Sequence, residues 1–318
     1  MNRKKQLVIE LGHALDRTGF FVYLEFVFCG ILYSRMTPGF VDVPIVRFGE
    51  IEKGLKGTMK NPYFDASIGD NMFDYYFYLK QKLEDGVSVD EVRESPGFWR
   101  KLYNGICPQT YPRGKDSKLN RLFRTPYTKE IDDWYKPNRL KASKIIDEHV
   151  AIRDEILNEV DEMWNEFFAE DDFVLGIHLR GTDKRFGGRK IPPKEHFPYI
   201  DYFIKHMNAK IFLATDDPAY LIILKKTYGD RVFFADCHRH VKNSFLVDEG
   251  SPYHKGLEVL KDVLLLSRCN FLLKSTSAVS EFAIYFNQDL HENSLNLQYD
   301  CSYFLSTGDL YLHHYNSD

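Results

Sequence analysis

The second half of the chain alternates short apolar runs with helical patterns, and this alternation constrains the fold more than any other feature. Four runs have the length and apolar character of buried strands, at 173–180, 210–215, 231–235 and 271–273. Helical periodicity predicts helices at 149–168, 195–207, 217–228, 256–269 and 278–287. Because strands alternate with helices, we predict an α/β fold whose parallel sheet is covered on both faces.

Polar side chains follow each predicted strand at its carboxyl end. His178 and Arg180 close the first strand, within the stretch GIHLRGTDKR (176–185). The ends of the other strands carry Asp216, Asp217, Asp236, Ser275, Thr276 and Ser277. Open parallel sheets bind ligands beyond the carboxyl ends of their strands, so we predict that these groups converge on one site.

Arg180 and the Ser275–Ser277 turn suit a diphosphate. An arginine fork matches phosphate oxygens, and a helix N-terminus adds backbone N–H donors beside the hydroxyl groups. Two simpler interpretations stay open. Arg180 could form an ion pair with Asp183, and the serine-threonine-serine turn could only cap the following helix. Asp217, followed by Pro218, is predicted to be the N-cap of the helix 217–228.

Asp262 lies among apolar residues within the predicted helix 256–269, where it is expected to be partly buried. A buried carboxylate needs partners, and it only accepts hydrogen bonds. It would therefore suit a ligand with paired N–H donors, such as guanine. The alternative is a helix position that faces solvent.

The length of 318 residues suits two domains. We predict an N-terminal α/β domain over 1–148 and a Rossmann-like C-terminal domain over 149–318. The tail 290–318 could cross back to the first domain. In the first domain, strands are predicted at Gln6–Ile9 and Val41–Arg47, with a helix over 19–35 between them.

Composition excludes several classes of protein. The net charge of -4 provides no general basic field for nucleic acid. The five cysteines include no close pair, which fits a reduced, cytoplasmic setting. The apolar segment 19–33 carries Glu25 and is shorter than the roughly 20 residues of a spanning helix. We expect a soluble protein with a buried helix there, and a signal anchor is the alternative. The histidines of 238–240 have no third ligand at a suggestive spacing, which favours a polar loop over a metal site.

Three segments resemble a known family, in the same order and spacing. They are HLRGTDK (178–184), IFLATDDP (211–218) and LKDVLLLSRCNFLLKSTSAVSEFA (260–283). These segments resemble the α1,6-fucosyltransferase-like group, which includes core and rhizobial nodulation fucosyltransferases. The resemblance implies a two-domain glycosyltransferase of the B type that binds GDP-fucose in its second domain. It also implies inversion at the anomeric carbon and no metal ion. We expect contacts with a glycan acceptor to come from the first domain and from the loop Gly187–Pro193.

The resemblance also assigns roles to residues. Arg180 would bind the β-phosphate, His178 would lie near the nucleotide, and Asp262 would recognise guanine. Ser277 and its neighbours would support the diphosphate, and the pair at 216–217 matches paired aspartates of the family.

At two positions the chain departs from the family pattern. Gly181 replaces a second arginine, and Gly188 stands where core fucosyltransferases have a proposed catalytic glutamate. Asp183 and Glu195 remain as candidates for the base, and a dissociative route driven by leaving-group stabilisation at Arg180 is an alternative.

Two other functions stay open at this stage. Asp216 and Asp217 could form the metal site of a metal-dependent transferase that uses another nucleotide sugar. The chain could also be a non-catalytic glycan-binding protein on the same fold, because a fold does not imply a function.

Overall fold

The computed structural model describes residues 3–10, 19–49, 61–95, 97–99, 101–102, 127–181, 190–237, 239 and 250–307. The described residues belong to two compact units, each assembled from several chain segments. One lies within Met1–Cys107, Lys144–Leu157 and Asp248–Leu257, and the other within Pro108–Ser143, Asn158–Val247 and Glu258–Asp318. The domain boundary between 148 and 149 stays a prediction.

The described part of the first unit contains a three-stranded parallel sheet. Strand β1 (Lys4–Glu10) lies between β2 (Ile45–Arg47) and a later strand, Val89–Arg93. The predicted strand at 6–9 is confirmed, whereas the predicted strand 41–47 is shorter than expected. The strand Val89–Arg93 is β4 in chain order. The intervening strand β3 (Phe77–Leu79) does not belong to this sheet and pairs antiparallel with β5 (Val150–Ile152).

Helix α1 (Phe20–Met36) confirms the predicted helix at 19–35 and is buried along most of its length, including Glu25. It packs closely on β1: a Cβ atom added at Gly30 would lie 2.4 Å from Cδ1 of Ile9. The apolar segment 19–33 thus contributes a buried helix to the first unit. No helix among the described residues has both the length and the apolar character to span a membrane.

The second unit contains, in its described part, a five-stranded sheet in which all neighbouring strands are parallel. Its strands are β6 (Val174–Leu179), β7 (Lys210–Thr215), β8 (Val232–Phe233), β9 (Phe271–Lys274) and β10 (Ser294–Asn296). Their spatial order is β10-β9-β6-β7-β8. The predicted α/β class with parallel sheets is therefore confirmed, and the four predicted strands of this half are present.

The helices follow the predicted pattern with shifted ends. The described helices after α1 are α2 (Phe73–Tyr76), α3 (Lys129–His149), α4 (Asp154–Phe167), α5 (Phe197–Met207), α6 (Pro218–Tyr228), α7 (Pro252–Ser267), α8 (Ala278–Phe286) and α9 (Ser302–Thr307). The helix predicted from 149 begins at Asp154, because residues 150–152 pair with β3 instead.

The structure describes residues 290–307 of the tail 290–318, which the sequence allows to cross back to the first domain. They add β10 and α9 to the second unit. Strand β10 pairs with β9, with Asn296 opposite Lys274. Phe304 of α9 is fully buried, and its ring centroid lies 5.6 Å from that of Phe203 on α5. The tail thus completes the core on one side of the larger sheet.

The strand order reverses between β6 and β9. From β6 the chain proceeds through β7 to β8 on one side, and β9 and β10 then lie on the other side. Such a reversal opens a crevice at the carboxyl ends of the two central strands, where ligands of open α/β sheets bind. Arg180 follows β6 and Ser275 follows β9, so the reversal brings the chain segments of two predicted site groups to this edge.

A buried cluster of charged side chains lies directly behind this edge. Glu281 of α8 accepts two hydrogen bonds from Arg139 of α3, at 2.9 and 3.0 Å, and a third from Lys274 at the end of β9. Arg139 also contacts Nδ1 of His291 at 2.8 Å. Lys274 and Glu281 are fully buried, and Arg139 is 4% exposed. We call Arg139, Lys274 and Glu281 the buried charge cluster.

The cluster keeps its charges because they are paired. Burial alone would raise the pKa of Glu281, but Arg139 and Lys274 lower this pKa to about 2. Burial lowers the pKa of Lys274 to about 8, against the opposing effect of Glu281. A buried carboxylate with two cations in hydrogen-bond contact thus stays ionised at neutral pH.

Glu281→Gln should strongly destabilise the protein, because it leaves Arg139 and Lys274 buried without their counter-charge. We expect a loss of about 3–5 kcal/mol in the free energy of unfolding, measured by urea denaturation. Asp133→Asn is the matched control, since Asp133 pairs with Lys129 on the exposed surface of α3. The control should cost less than about 1 kcal/mol. Equal losses for both variants would contradict a structural role of the cluster.

Candidate functional site

The carboxyl ends of β6 and β7 are joined by a side-chain contact. The register places Leu179 opposite Thr215, so Arg180 and Asp216 are the next residues on their strands. The N–H of Gly181 donates to Oδ1 of Asp216 at 2.7 Å. This bond holds the segment after β6 against the segment after β7.

Asp217 is the N-cap of α6, as the sequence predicted. Its Oδ1 accepts a hydrogen bond from the N–H of Ala219 at 2.9 Å. Its Oδ2 lies 3.8 Å from Nζ of Lys190. Both carboxylate oxygens therefore have local partners, so helix capping and the contact with Lys190 explain an aspartate at this position without a ligand.

Asp217 also explains why glycine stands at position 181. A Cβ atom added at Gly181 would lie 2.4 Å from Cβ and 2.5 Å from Oδ2 of Asp217. No side chain fits there unless the backbone of one strand end moves. The second arginine of the resembled family is thus replaced by a close approach of the chain to the N-cap of α6.

The structure places the other predicted residues of this edge as follows. His178 lies in β6 and is buried, with 6% of its surface exposed. Arg180 is half-buried directly after the strand. Glu195 ends a short 3-10 helix (Pro193–Glu195) and is half-buried. Asp183, the partner in the alternative interpretation of Arg180, lies outside the described residues. The catalytic roles of these residues therefore stay predictions.

The turn after β9 contains two buried serine hydroxyl groups. Ser275 and Ser277 are 3% and 5% exposed, and neither Oγ atom has a hydrogen-bond partner among the described residues. Ser277 occupies the N-cap position of α8, but its hydroxyl makes no capping bond. Thr276 is engaged, because its Oγ1 accepts from Nδ2 of Asn296 at 3.2 Å. Simple helix capping thus does not explain Ser277.

Asp262 is buried in α7, with 9% of its surface exposed, so the alternative of a solvent-facing position is wrong. Its Oδ1 is buried and accepts no hydrogen bond from the described residues. Burial raises the pKa of this carboxyl to about 7; Arg239 opposes this effect and Glu258 adds to it. A buried acceptor without partners is costly, so packing within the described part of the chain does not account for this carboxyl.

The charged residues Arg239 and Lys274 were not singled out from the sequence. The histidines of 238–240 lie outside the described residues, whereas the charge of Arg239 between them opposes the effect of burial on the pKa of Asp262. Lys274 was also missed, although a lysine that ends the apolar strand FLLK is a visible signal of a buried charge. Within the described part of the chain, no group of three or more His, Cys, Asp or Glu side chains could hold a metal ion.

Comparisons with known proteins give matches among solved structures. No protein-family model matches the sequence, and no curated protein matches it either. Among solved structures, the chain is similar to the fucosyltransferase NodZ from Bradyrhizobium, with 18% identity over 89% of this chain and 92% of that chain, and a TM-score of 0.45. NodZ soaked with GDP-fucose shows 16% identity over 90% and 93% of the two chains, with a TM-score of 0.45. A mutant of Arabidopsis thaliana FUT1 in complex with GDP shows 11% identity over 90% and 69%, with a TM-score of 0.43.

Ser277→Ala should leave the stability of the protein nearly unchanged. Removing a capping hydroxyl usually costs about 1 kcal/mol, whereas this hydroxyl caps nothing among the described residues. We expect a change below about 0.5 kcal/mol in urea denaturation, as for substitutions without a lost contact. Asp217→Ala is the matched control, because it removes an observed N-cap bond and should cost about 1 kcal/mol. A loss for Ser277→Ala as large as that of the control would show that Ser277 stabilises α8.

Asp262→Asn should stabilise the unliganded protein, and more so at high pH. The folded state raises the pKa from 3.8 to about 7, so it binds more protons than the unfolded state between these values. Stability therefore falls as pH rises through this window, and the asparagine variant escapes that loss. We expect a larger gain in Tm at pH 8 than at pH 5, with the exposed Asp230→Asn as control. An equal gain at both pH values would contradict the raised pKa.

Proposed function

We propose that this protein is a glycosyltransferase of the B type that transfers L-fucose from GDP-fucose to a hydroxyl group of a glycan. We further propose that transfer inverts the anomeric carbon and needs no metal ion. The three sequence segments that resemble α1,6-fucosyltransferases support this assignment. The polar groups at the reversal of the larger sheet support a nucleotide-sugar site at that edge.

The carboxyl group of Asp262 is the observation that carries the proposal. It is buried, it lies in a segment that resembles the family, and it accepts no hydrogen bond from the described residues. A ligand with adjacent N–H donors satisfies such a group, and the N1–H and 2-amino groups of guanine are donors of this kind. This chemistry favours a guanine nucleotide over one whose base offers fewer donors.

The diphosphate is proposed to bind between Arg180 and the Ser275–Ser277 turn. The two buried hydroxyls and the N-terminus of α8 provide donors for phosphate oxygens. Arg180 provides a positive charge at the end of the neighbouring strand β6. The negative charge of the diphosphate is thus offset here by Arg180, because Gly181 leaves no room for a second arginine at its position.

In the proposed reaction, the acceptor oxygen forms a bond to the anomeric carbon of fucose as the bond to the β-phosphate oxygen breaks. The hydroxyl proton passes to a base, for which Glu195 and Asp183 are the candidates. Arg180 stabilises the charge that develops on the departing GDP. In a dissociative route, this stabilisation of the leaving group supplies most of the rate enhancement.

GDP release from a panel of sugar nucleotides, with mixed glycans as acceptors, tests the proposal. We expect turnover with GDP-fucose, and Arg180→Ala should lower kcat/KM by roughly 100–1000-fold without unfolding the protein. Arg231→Ala is the matched control: this arginine precedes β8, at the opposite edge of the sheet, and donates to the carbonyls of Asn208 and Ala209. The control should retain activity. Retained activity in Arg180→Ala would overturn the phosphate role.

Two further measurements separate the alternative functions. Activity that is lost on metal chelation would favour a metal-dependent transferase. If millimolar GDP produced no rise in Tm and no donor released GDP, a non-catalytic glycan-binding protein would be favoured.

A further inference from the structure

Lys190 is an exposed lysine whose ammonium group lies beside the first turn of α6. Its Nζ is 3.8 Å from Oδ2 of Asp217, the N-cap residue of this helix, and 5.2 Å from the ring centroid of Tyr220. Half of the Lys190 side chain is exposed, whereas the side chain of Asp217 is only 13% exposed. The helix start thus holds the ammonium group in a place that solvent and ligands can reach.

The same oxygen of Asp217 also faces the residue that follows Arg180. A Cβ atom added at Gly181 would lie 2.5 Å from Oδ2 of Asp217. A single carboxylate oxygen therefore separates Nζ of Lys190 from the backbone of Gly181. Lys190 thus lies at the same edge of the sheet as Arg180, although the loop 182–189 separates the two residues in sequence.

The charges at this edge leave a bound diphosphate in need of a second cation. Among the described residues that directly follow β6 and β7, Arg180 is accompanied by two carboxylates, those of Asp216 and Asp217. Without another cation, the net charge of these three side chains is negative and would repel phosphate oxygens. Lys190 cancels this excess, and the N-terminus of α6 adds a partial positive charge.

We infer that Lys190 is the second cation of the proposed donor site and that its ammonium group donates to an oxygen of the β-phosphate. This inference rests on the proposed function, because it concerns the diphosphate of the same donor. The ammonium group has three N–H donors, and Asp217 is too far away to accept a hydrogen bond from any of them. The charge of Lys190 thus adds to that of Arg180 where the β-phosphate is proposed to bind.

Nucleotide binding to the full chain, measured by calorimetry, tests the inference. The probes are GDP and GMP, which share the base and the α-phosphate and differ in the β-phosphate. Lys190→Met should weaken GDP binding roughly tenfold or more, because a charge-assisted bond is lost, and it should weaken GMP binding much less. Equal losses for the two nucleotides would overturn the inference, since GMP has no β-phosphate. Acceptor is left out, so that acceptor contacts of the loop 187–193 do not contribute.

Two further variants separate the charge of Lys190 from other effects of the substitution. Lys190→Arg keeps the positive charge and should keep most of the GDP affinity. A loss as large as that of Lys190→Met would overturn the role of the charge. Lys226→Met is the matched control, because it removes an exposed lysine from the last turn of the same helix. This control should leave both affinities unchanged.

The result for the unaltered protein distinguishes the two levels of the proposal. If it prefers GDP to GMP and Lys190→Met keeps that preference in full, the role of Lys190 is wrong and the proposed function stands. If it binds neither nucleotide, or binds GMP at least as tightly as GDP, the proposed function fails and the inference fails with it.

Discussion

The contact between Glu281 and two buried cations is the interaction on which the second unit depends. Arg139 of α3 and Lys274 of β9 both donate to Glu281 of α8, so one ionic group connects α3 to two neighbouring elements that lie much later in the chain. Such a group is stable only when every charge is paired, because removing one partner leaves the others buried without compensation. The cluster also fixes the two ends of the Ser275–Ser277 turn, since Lys274 precedes this turn and Glu281 lies in the first turn of the helix after it. The buried charge cluster thus fixes the backbone of the turn that is proposed to bind phosphate.

The two buried carboxylates of this unit differ in a way that separates structure from function. Glu281 has hydrogen bonds from two cations, and its pKa is lowered to about 2. Asp262 has no hydrogen bond from the described residues, and burial raises its pKa to about 7. The first group is satisfied by the protein itself. The second group, like the hydroxyls of Ser275 and Ser277, is not satisfied by the described residues, and this is why the proposed function places these three residues in the donor site.

The close approach of Gly181 to Asp217 determines which residue can stand after β6, while the parallel sheet itself is unchanged. The hydrogen bond to Asp216 and the N-cap of α6 bring the two strand ends so close that no side chain fits at 181. Position 181 therefore cannot carry the second arginine of the resembled family in this packing.

The sequence by itself determined the elements whose signal is local. The apolar run KIFLAT predicted β7 at its observed bounds, and Asp217-Pro218 predicted the start of α6, because strand hydrophobicity and helix capping are properties of adjacent residues. The polar strand ends and the parallel sheet followed from the same pattern. Only the tertiary structure decided the rest. Strand β10 is too short for a periodic signal and forms through its pairing with β9. The apolar neighbours of Asp262 already predicted its burial, whereas the bond between Arg139 and Glu281 joins residues far apart in the chain, and such contacts leave no trace in local spacing.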